Sequence, residues 1–143
     1  MEDKVVFKNI LPVQVRFSDV DIMGHVSNTV YQNYYDSGKV NYFDEVLPDL
    51  DFVNLAFVGA SVKIDYLKPI FMRTKILVET RVVLVGTKSM TLEHRLVEEQ
   101  TGELLSTCIA VLVCYSIKEQ QSITIPEHWK KNIRAYDEGV VVR

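Results

Sequence analysis

A cluster of ionisable and small residues at positions 16–28 holds the side chains best suited to chemistry. Asp19 and Asp21 are one residue apart, and Gly24 and His25 follow them. A carboxylate can act as a nucleophile or as a general base that activates water. These residue types in one short segment fit an active-site loop in which Asp21 could take either of these roles. The alternative is that both aspartates are turn residues that bond their own backbone.

A predicted strand and a predicted helix flank this loop. Residues 13–17 alternate between apolar and polar types, as in a half-buried strand, and residues 29–46 repeat apolar side chains at helical spacing. Ser27 or Asn28 would cap the helix, and Pro48 would end it. Free N–H groups at a helix start carry partial positive charge and can hold the oxyanion that forms when a carbonyl is attacked.

The spacing of the cluster resembles the signature of the 4-hydroxybenzoyl-CoA thioesterase-like family. The similar pattern reads Asp19-x-Asp21-x-x-Gly24-His25-Val26-x-Asn28-x-x-Tyr31-x-x-Tyr34-x-Asp36, and a later one reads Val62-x-Ile64-x-Tyr66-x-x-Pro69. The resemblance runs without a gap from Arg16 to Phe43. Family members more often carry Glu at the Asp36 position and Asn at the Ser27 position, and these departures concern substrate preference rather than reaction type.

The elements after the helix predict an α+β fold. Residues 58–66, 76–84 and 90–96 alternate with the period of strands, and residues 104–115 are apolar on both faces as in a central strand. Short connections predict an antiparallel meander, and residues 125–138 predict a terminal helix. We therefore expect a single hotdog domain over residues 1–143, in which a curved antiparallel sheet of about five strands wraps around one long central helix, with a short C-terminal helix.

The resemblance implies an acyl-CoA thioesterase that hydrolyses an acyl or aroyl thioester. Asp21 would be the catalytic carboxylate, as general base or nucleophile, and the backbone N–H of Asn28 would polarise the thioester carbonyl. Asp19 would support the loop. His25 either orients Asp21 or touches substrate, and its alternative role is packing at the helix entry.

Substrate binding is expected from residues beyond the loop. Asp36 would face the acyl pocket, or would be a buried carboxylate bonded to a tyrosine. The turn that contains Lys88 and Ser89 resembles the family segment that meets the phosphates of coenzyme A, and Lys68 is a second candidate; ordinary solvated lysines are the alternative. The expected substrate-binding residues are Tyr31, Tyr35, Asp36, Lys68, Lys88 and Ser89. No cofactor is expected, since coenzyme A is part of the substrate.

Charge, hydrophobic stretches and cysteine spacing limit the partners and the cellular location that we expect for this protein. The 143 residues carry a formal net charge of -3, which gives no field that would attract nucleic acid or anionic lipid. The apolar stretch 108–115 is too short to span a bilayer, and residues 1–4 lack the basic start of a secretion signal. Cys108 and Cys114 are six positions apart on one predicted strand and cannot pair with each other. These features favour a cytoplasmic protein without a membrane partner.

The resemblance also implies active sites between two subunits, hence a homodimer or homotetramer, in which pairing would cover sheet edges. Two other functions stay open: a thioesterase for acyl carrier protein, and a non-catalytic module that binds acyl-CoA or acyl carrier protein. A metal on Asp19, Asp21 and His25 is not expected, because the other histidines lie in unrelated segments. Phosphatase chemistry at Asp-x-Asp would need a longer chain, and a hotdog dehydratase would place its His and acid differently.

Overall fold

The computed structural model describes residues 6–143. The expectation that residues 1–4 contain no secretion signal concerns a segment outside these described residues. Its strands and helices are β1 (Asn9–Gln14), α1 (Tyr31–Val46), β2 (Ala56–Tyr66), β3 (Lys75–Val85), β4 (Ser89–Glu98), β5 (Leu104–Ser116), β6 (Gln121–Ser122), α2 (Glu127–Tyr136) and β7 (Val141–Val142). Two 3₁₀ turns, Phe17–Asp19 and Asn28–Val30, flank the predicted active-site loop.

The main sheet has the order β1-β3-β4-β5-β2 with antiparallel neighbours. It curls around α1, whose buried residues are Tyr31, Tyr34, Tyr35, Gly38, Tyr42, Phe43 and Val46. The predicted α+β hotdog fold, with five main strands, one long helix and a short C-terminal helix, is confirmed. Both cysteines are buried and free. Among residues 6–143, neither helix has the length and apolar character that a membrane crossing requires.

The two edges of this sheet differ. At one edge, β1 pairs with β3 only as far as Thr80, and the chain beyond that point is covered by the C-terminal segment. There Asp137 accepts hydrogen bonds from the Val82 N–H at 2.9 Å and the Tyr42 hydroxyl at 2.5 Å. At the other edge, β2 pairs within the described residues with β5 alone. The strand β2 is therefore the edge that is left open.

Three local predictions were wrong in detail. The first strand ends at Gln14 and not at residue 17, because residues 17–19 turn into a 3₁₀ helix. Ser27 occupies the N-cap position of the second 3₁₀ turn, but its hydroxyl contacts the Thr29 hydroxyl at 3.0 Å and caps no backbone N–H. The terminal helix is also shorter than predicted, since Pro126 sits at its N-cap.

Candidate active site

Backbone hydrogen bonds close the loop between β1 and α1 on itself and tie it to a neighbouring segment. Val26 N–H donates to Ile70 C=O at 2.7 Å, and Asp21 N–H donates to His25 C=O at 2.8 Å. Gly24 has φ of +81°, a conformation that glycine adopts without strain. The loop is thus fixed against the segment that leads into β3.

Asp19 ties this loop to α1. Its side chain is 2% exposed and accepts hydrogen bonds from the Arg16 N–H at 2.9 Å and the Tyr34 hydroxyl at 2.8 Å, with the Arg16 guanidinium at 3.3 Å. Burial by itself raises the pKa of Asp19, but these hydrogen bonds and the Arg16 charge outweigh burial and hold the pKa below its usual 3.8. Asp19 is therefore an ionised structural carboxylate.

Asp21 occupies the exposed side of the same loop. Its Oδ1 accepts hydrogen bonds from the backbone N–H groups of Met23 at 2.9 Å and His25 at 3.3 Å. Its Oδ2 has no hydrogen bond among the described residues. Asp21 is therefore a turn residue that could also be catalytic. One oxygen accepts the hydrogen bonds that orient the carboxylate, and the other can accept a proton or attack a carbonyl.

The start of the helix lies a few residues further on. Val30 N–H makes the first bond of the 3₁₀ turn, to Ser27 C=O at 2.9 Å, and the backbone N–H groups of Asn28 and Thr29 have no acceptor in the described part of the chain. The Tyr66 hydroxyl donates to Asn28 C=O at 3.3 Å. Free N–H groups at a helix start are candidate donors to an oxyanion.

Two aromatic contacts complete the mouth of the site. The ring of Tyr31 meets that of Tyr66 edge-on at 4.8 Å, and the ring of His25 meets that of Phe71 at 5.1 Å. The contact between His25 and Asp21 runs through the backbone N–H of His25 rather than through its ring. Sequence analysis named Tyr66 in a strand pattern but not among the site residues, because its partner Asn28 lies 38 residues away along the chain.

A cavity of about 330 Å³ opens between α1 and the inner face of the sheet. The helix contributes Tyr35, Asp36 and Lys39 to its lining, and the sheet contributes His94 and Cys108. Asp36 accepts a hydrogen bond from the Gln32 side chain (3.0 Å) and pairs with Lys39 at 3.4 Å, so its partner is not a tyrosine. Tyr35 donates to the Ser106 hydroxyl at 2.6 Å.

The predicted coenzyme A residues fall into two places. Lys68 lies two residues beyond the Tyr66 end of β2, is exposed, and pairs with Glu103 at 3.6 Å. Lys88 and Ser89 lie at the hairpin between β3 and β4, at the far end of a strand whose 11 residues span about 34 Å. The structure thus does not bring Lys88 and Ser89 to Asp21 within one chain.

The described residues contain no group of three or more His, Cys, Asp or Glu side chains that could hold a metal ion.

Residues 15–133 match the thioesterase-like superfamily, and the chain belongs to that family. A thioesterase from Thermus thermophilus, solved with coenzyme A and zinc, is 32% identical, with a TM-score of 0.81 over 92% of this chain and 95% of that one. A putative thioesterase from Pseudomonas aeruginosa, PA2801, is 28% identical, with a TM-score of 0.81 over 90% and 99% of the two chains. Family membership supports thioester hydrolysis in general.

One curated relative is the uncharacterised Bacillus subtilis protein YsmA, which is 27% identical over 132 residues, 92% of this chain and 89% of that protein. The 1,4-dihydroxy-2-naphthoyl-CoA thioesterase Slr0204 of Synechocystis shares the fold, with 16% identity and a TM-score of 0.77 over 90% of this chain and 97% of that one.

Proposed function

We propose that this protein is an acyl-CoA thioesterase in which Asp21 is the general base. One observation supports the proposal. Asp21 Oδ2, which has no hydrogen bond among the described residues, lies on a loop that leads to the N–H groups of Asn28 and Thr29, which have no acceptor there either. A base and an oxyanion site on adjoining segments are what ester-type hydrolysis requires. The cavity beside α1 would hold the acyl group.

In the proposed reaction, Asp21 Oδ2 takes a proton from a water that attacks the thioester carbonyl. The carbonyl oxygen gains negative charge and is held by the N–H groups at the start of the helix. The carbon–sulfur bond then breaks, and the leaving thiolate takes the proton from Asp21, which returns to its ionised form. If Asp21 instead attacked directly, a mixed anhydride would form and water would cleave it in a second step.

Coenzyme A as the leaving group is supported by the related Thermus thermophilus thioesterase, which was solved with that molecule. We also propose a dimer formed through the open edge of β2. Antiparallel pairing of two copies of β2 would set the Tyr66 end of one strand beside the Ala56 end of the other. Because Lys88 lies at the Ala56 end of the sheet, the partner's hairpin is the one that would approach Asp21.

The decisive test is Asp21→Asn, which keeps an oxygen for the turn hydrogen bonds and removes the base. We expect kcat for acyl-CoA hydrolysis to fall about 100- to 10,000-fold while substrate binding stays near wild type. Asp51→Asn is the matched control, since Asp51 is also exposed and accepts backbone hydrogen bonds from Val53 at 2.9 Å and Leu55 at 3.2 Å. Unchanged turnover in Asp21→Asn would refute the mechanism.

A panel of short, long and aromatic acyl-CoAs, with an acyl carrier protein thioester beside them, separates the remaining functions. Release of thiol from the coenzyme A esters supports the proposal. Release from the carrier protein ester alone would assign the carrier as substrate. Tight acyl-CoA binding without turnover of any ester would indicate a binding module.

A further inference from the structure

The floor of the cavity holds a histidine that the proposed mechanism does not use. His94 lies on the inner face of β4, with Thr80 of β3 and Cys108 of β5 as its cross-strand neighbours. It is 2% exposed, and its ring lies 5.3 Å from that of Tyr35. The His94 Nδ1 pairs with the Thr80 hydroxyl at 2.8 Å, whereas its Nε2 has no partner among the described residues.

The hydrogen-bond pair determines which ring nitrogen carries the proton. Thr80 is fully buried, and Nδ1 of His94 is the one acceptor that the described residues give its hydroxyl. If Nδ1 were the donor, the Thr80 O–H would be a buried donor without an acceptor, which is costly. The favoured arrangement has Thr80 donating to Nδ1, so that Nε2 carries the proton.

The ring is neutral at neutral pH. Burial, with a smaller contribution from the Lys39 charge, lowers the pKa of His94 from 6.5 to about 4, although Asp36 acts in the opposite direction. Nε2–H is therefore a neutral donor that lines the cavity and lacks an acceptor of its own. A donor that the protein leaves unpaired in a binding cavity is a recognition element, because a ligand without an acceptor would exclude water from it and leave it unsatisfied.

The depth of this donor sets the length of the group that reaches it. The ring of Tyr35, against which His94 lies, belongs to a residue seven positions beyond Asn28, or about 10 Å along the helix axis at about 1.5 Å per residue. A carbonyl held at Asn28 would thus be separated by about 10 Å, measured along the helix axis, from the level of Tyr35 at which the His94 ring lies. A single benzene ring does not span that distance, but a medium-length acyl chain does.

We propose that His94 selects acyl groups that carry a neutral oxygen acceptor, a ketone or hydroxyl, about 10 Å from the thioester carbonyl. The inference rests on the proposed thioesterase function and names the substrate class of that site. A carboxylate on the ligand would be a poor acceptor. The cationic Lys39 at the cavity is already paired with Asp36, and the neutral His94 ring would not offset the free-energy cost of burying a charge.

The test compares two ligands that differ in one group: decanoyl-CoA and the same thioester with a ketone on its ninth carbon. Their thioether analogues, which cannot be hydrolysed, give dissociation constants by calorimetry, and the thioesters themselves give kcat/KM. We expect wild type to favour the ketone about 3- to 10-fold in both measurements, the effect of one hydrogen bond.

Two variants identify the donor. His94→Phe should bind both analogues equally, and His94→Gln, which keeps an N–H, should retain part of the preference. Equal binding of the two analogues by wild type would overturn the inference even if both thioesters are hydrolysed. Selective binding of the ketone without hydrolysis would leave the inference standing and count against the proposed function, so the two failures are distinct. The wild-type comparison holds even if a variant fails to fold.

Discussion

At the scale of single residues, two carboxylates of the same loop have opposite environments. Asp19 is buried and fully engaged, whereas Asp21 is exposed and keeps one oxygen free. Such a division of environments commonly separates a structural acid from a reactive one. Asp19 is thus the structural acid of the loop, held by Arg16 and Tyr34.

Tyr34→Phe tests this structural role, because it removes the hydroxyl that donates to Asp19 at 2.8 Å. A hydrogen bond to a buried charge contributes about 1.5–3 kcal/mol, and we expect that loss in the free energy of unfolding at neutral pH. The pKa of Asp19 is lowered in the folded protein, so this stabilisation is present above pH 3.8 and is lost as pH falls through the lower folded-state pKa.

Urea unfolding of both proteins across acidic and neutral pH measures this difference. Tyr115→Phe is the control, since the Tyr115 hydroxyl has no hydrogen bond among the described residues and its removal should cost little at any pH. A difference between wild type and Tyr34→Phe that does not shrink in acid would show that the hydroxyl stabilises something other than ionised Asp19.

Residue spacing predicted the loop but not all of its neighbours. Asp21, His25 and Asn28 lie within eight positions, so their proximity could be inferred from sequence. Tyr66 reaches Asn28 from 38 residues away, and His94 joins the cavity through cross-strand pairing. Such contacts depend on strand register, which the alternation of residues leaves undetermined.

At the scale of elements, α1 lies directly on β3 because residue 38 has no side chain. A Cβ on Gly38 would lie 2.5 Å from Val78 Cγ1 and 2.9 Å from the Thr80 hydroxyl oxygen. We expect Gly38→Ala to destabilise the fold, because overpacking costs about 1–3 kcal/mol and outweighs the roughly 1 kcal/mol gained in helix propensity. The midpoint of thermal or urea unfolding measures the balance.

Ser37→Ala is the matched control on the same turn of the helix. Its hydroxyl is exposed and donates only to Asn33 C=O at 3.0 Å, so the substitution should leave stability nearly unchanged. If Gly38→Ala were as stable as Ser37→Ala, the close approach of helix and sheet would not depend on glycine.

Strong periodicity predicted the long elements, and local hydrogen bonds decided their ends. The four strands that follow α1 and the helix itself were recognisable from their spacing. The strand before the loop was placed too late, because alternation continues to Phe17 in the sequence while the chain already turns toward Asp19. The two-residue strands β6 and β7 are too short for any periodic signal.

At the scale of the whole molecule, β2 is an edge strand with exposed apolar side chains. Val58 and Val62 are 41% and 48% exposed, and the latter lines the cavity. An open edge of this kind favours pairing with a second strand. In the proposed dimer, each active site would use Asp21 from one subunit and the Lys88 hairpin from the other.

Mixing two inactive or weakened variants tests this arrangement. Asp21→Asn should lower kcat about 100- to 10,000-fold, and Lys88→Ala should raise KM for acyl-CoA about tenfold through loss of a phosphate contact. A heterodimer of the two has one site with both substitutions and one with neither, if the residues come from different subunits. We therefore expect the heterodimer, purified with two affinity tags, to show about half the wild-type kcat with a wild-type KM.

The mixed dimer would behave differently if each active site were formed by a single chain. If Asp21 and Lys88 served the same site from one chain, the heterodimer would retain only the site with intact Asp21 and altered Lys88, and its KM would stay raised. A heterodimer of Asp21→Asn with wild type supplies the reference for a single working site. A raised KM in the mixed dimer would refute the shared site, and a wild-type KM would place the Lys88 hairpin of one subunit at the carboxylate of the other.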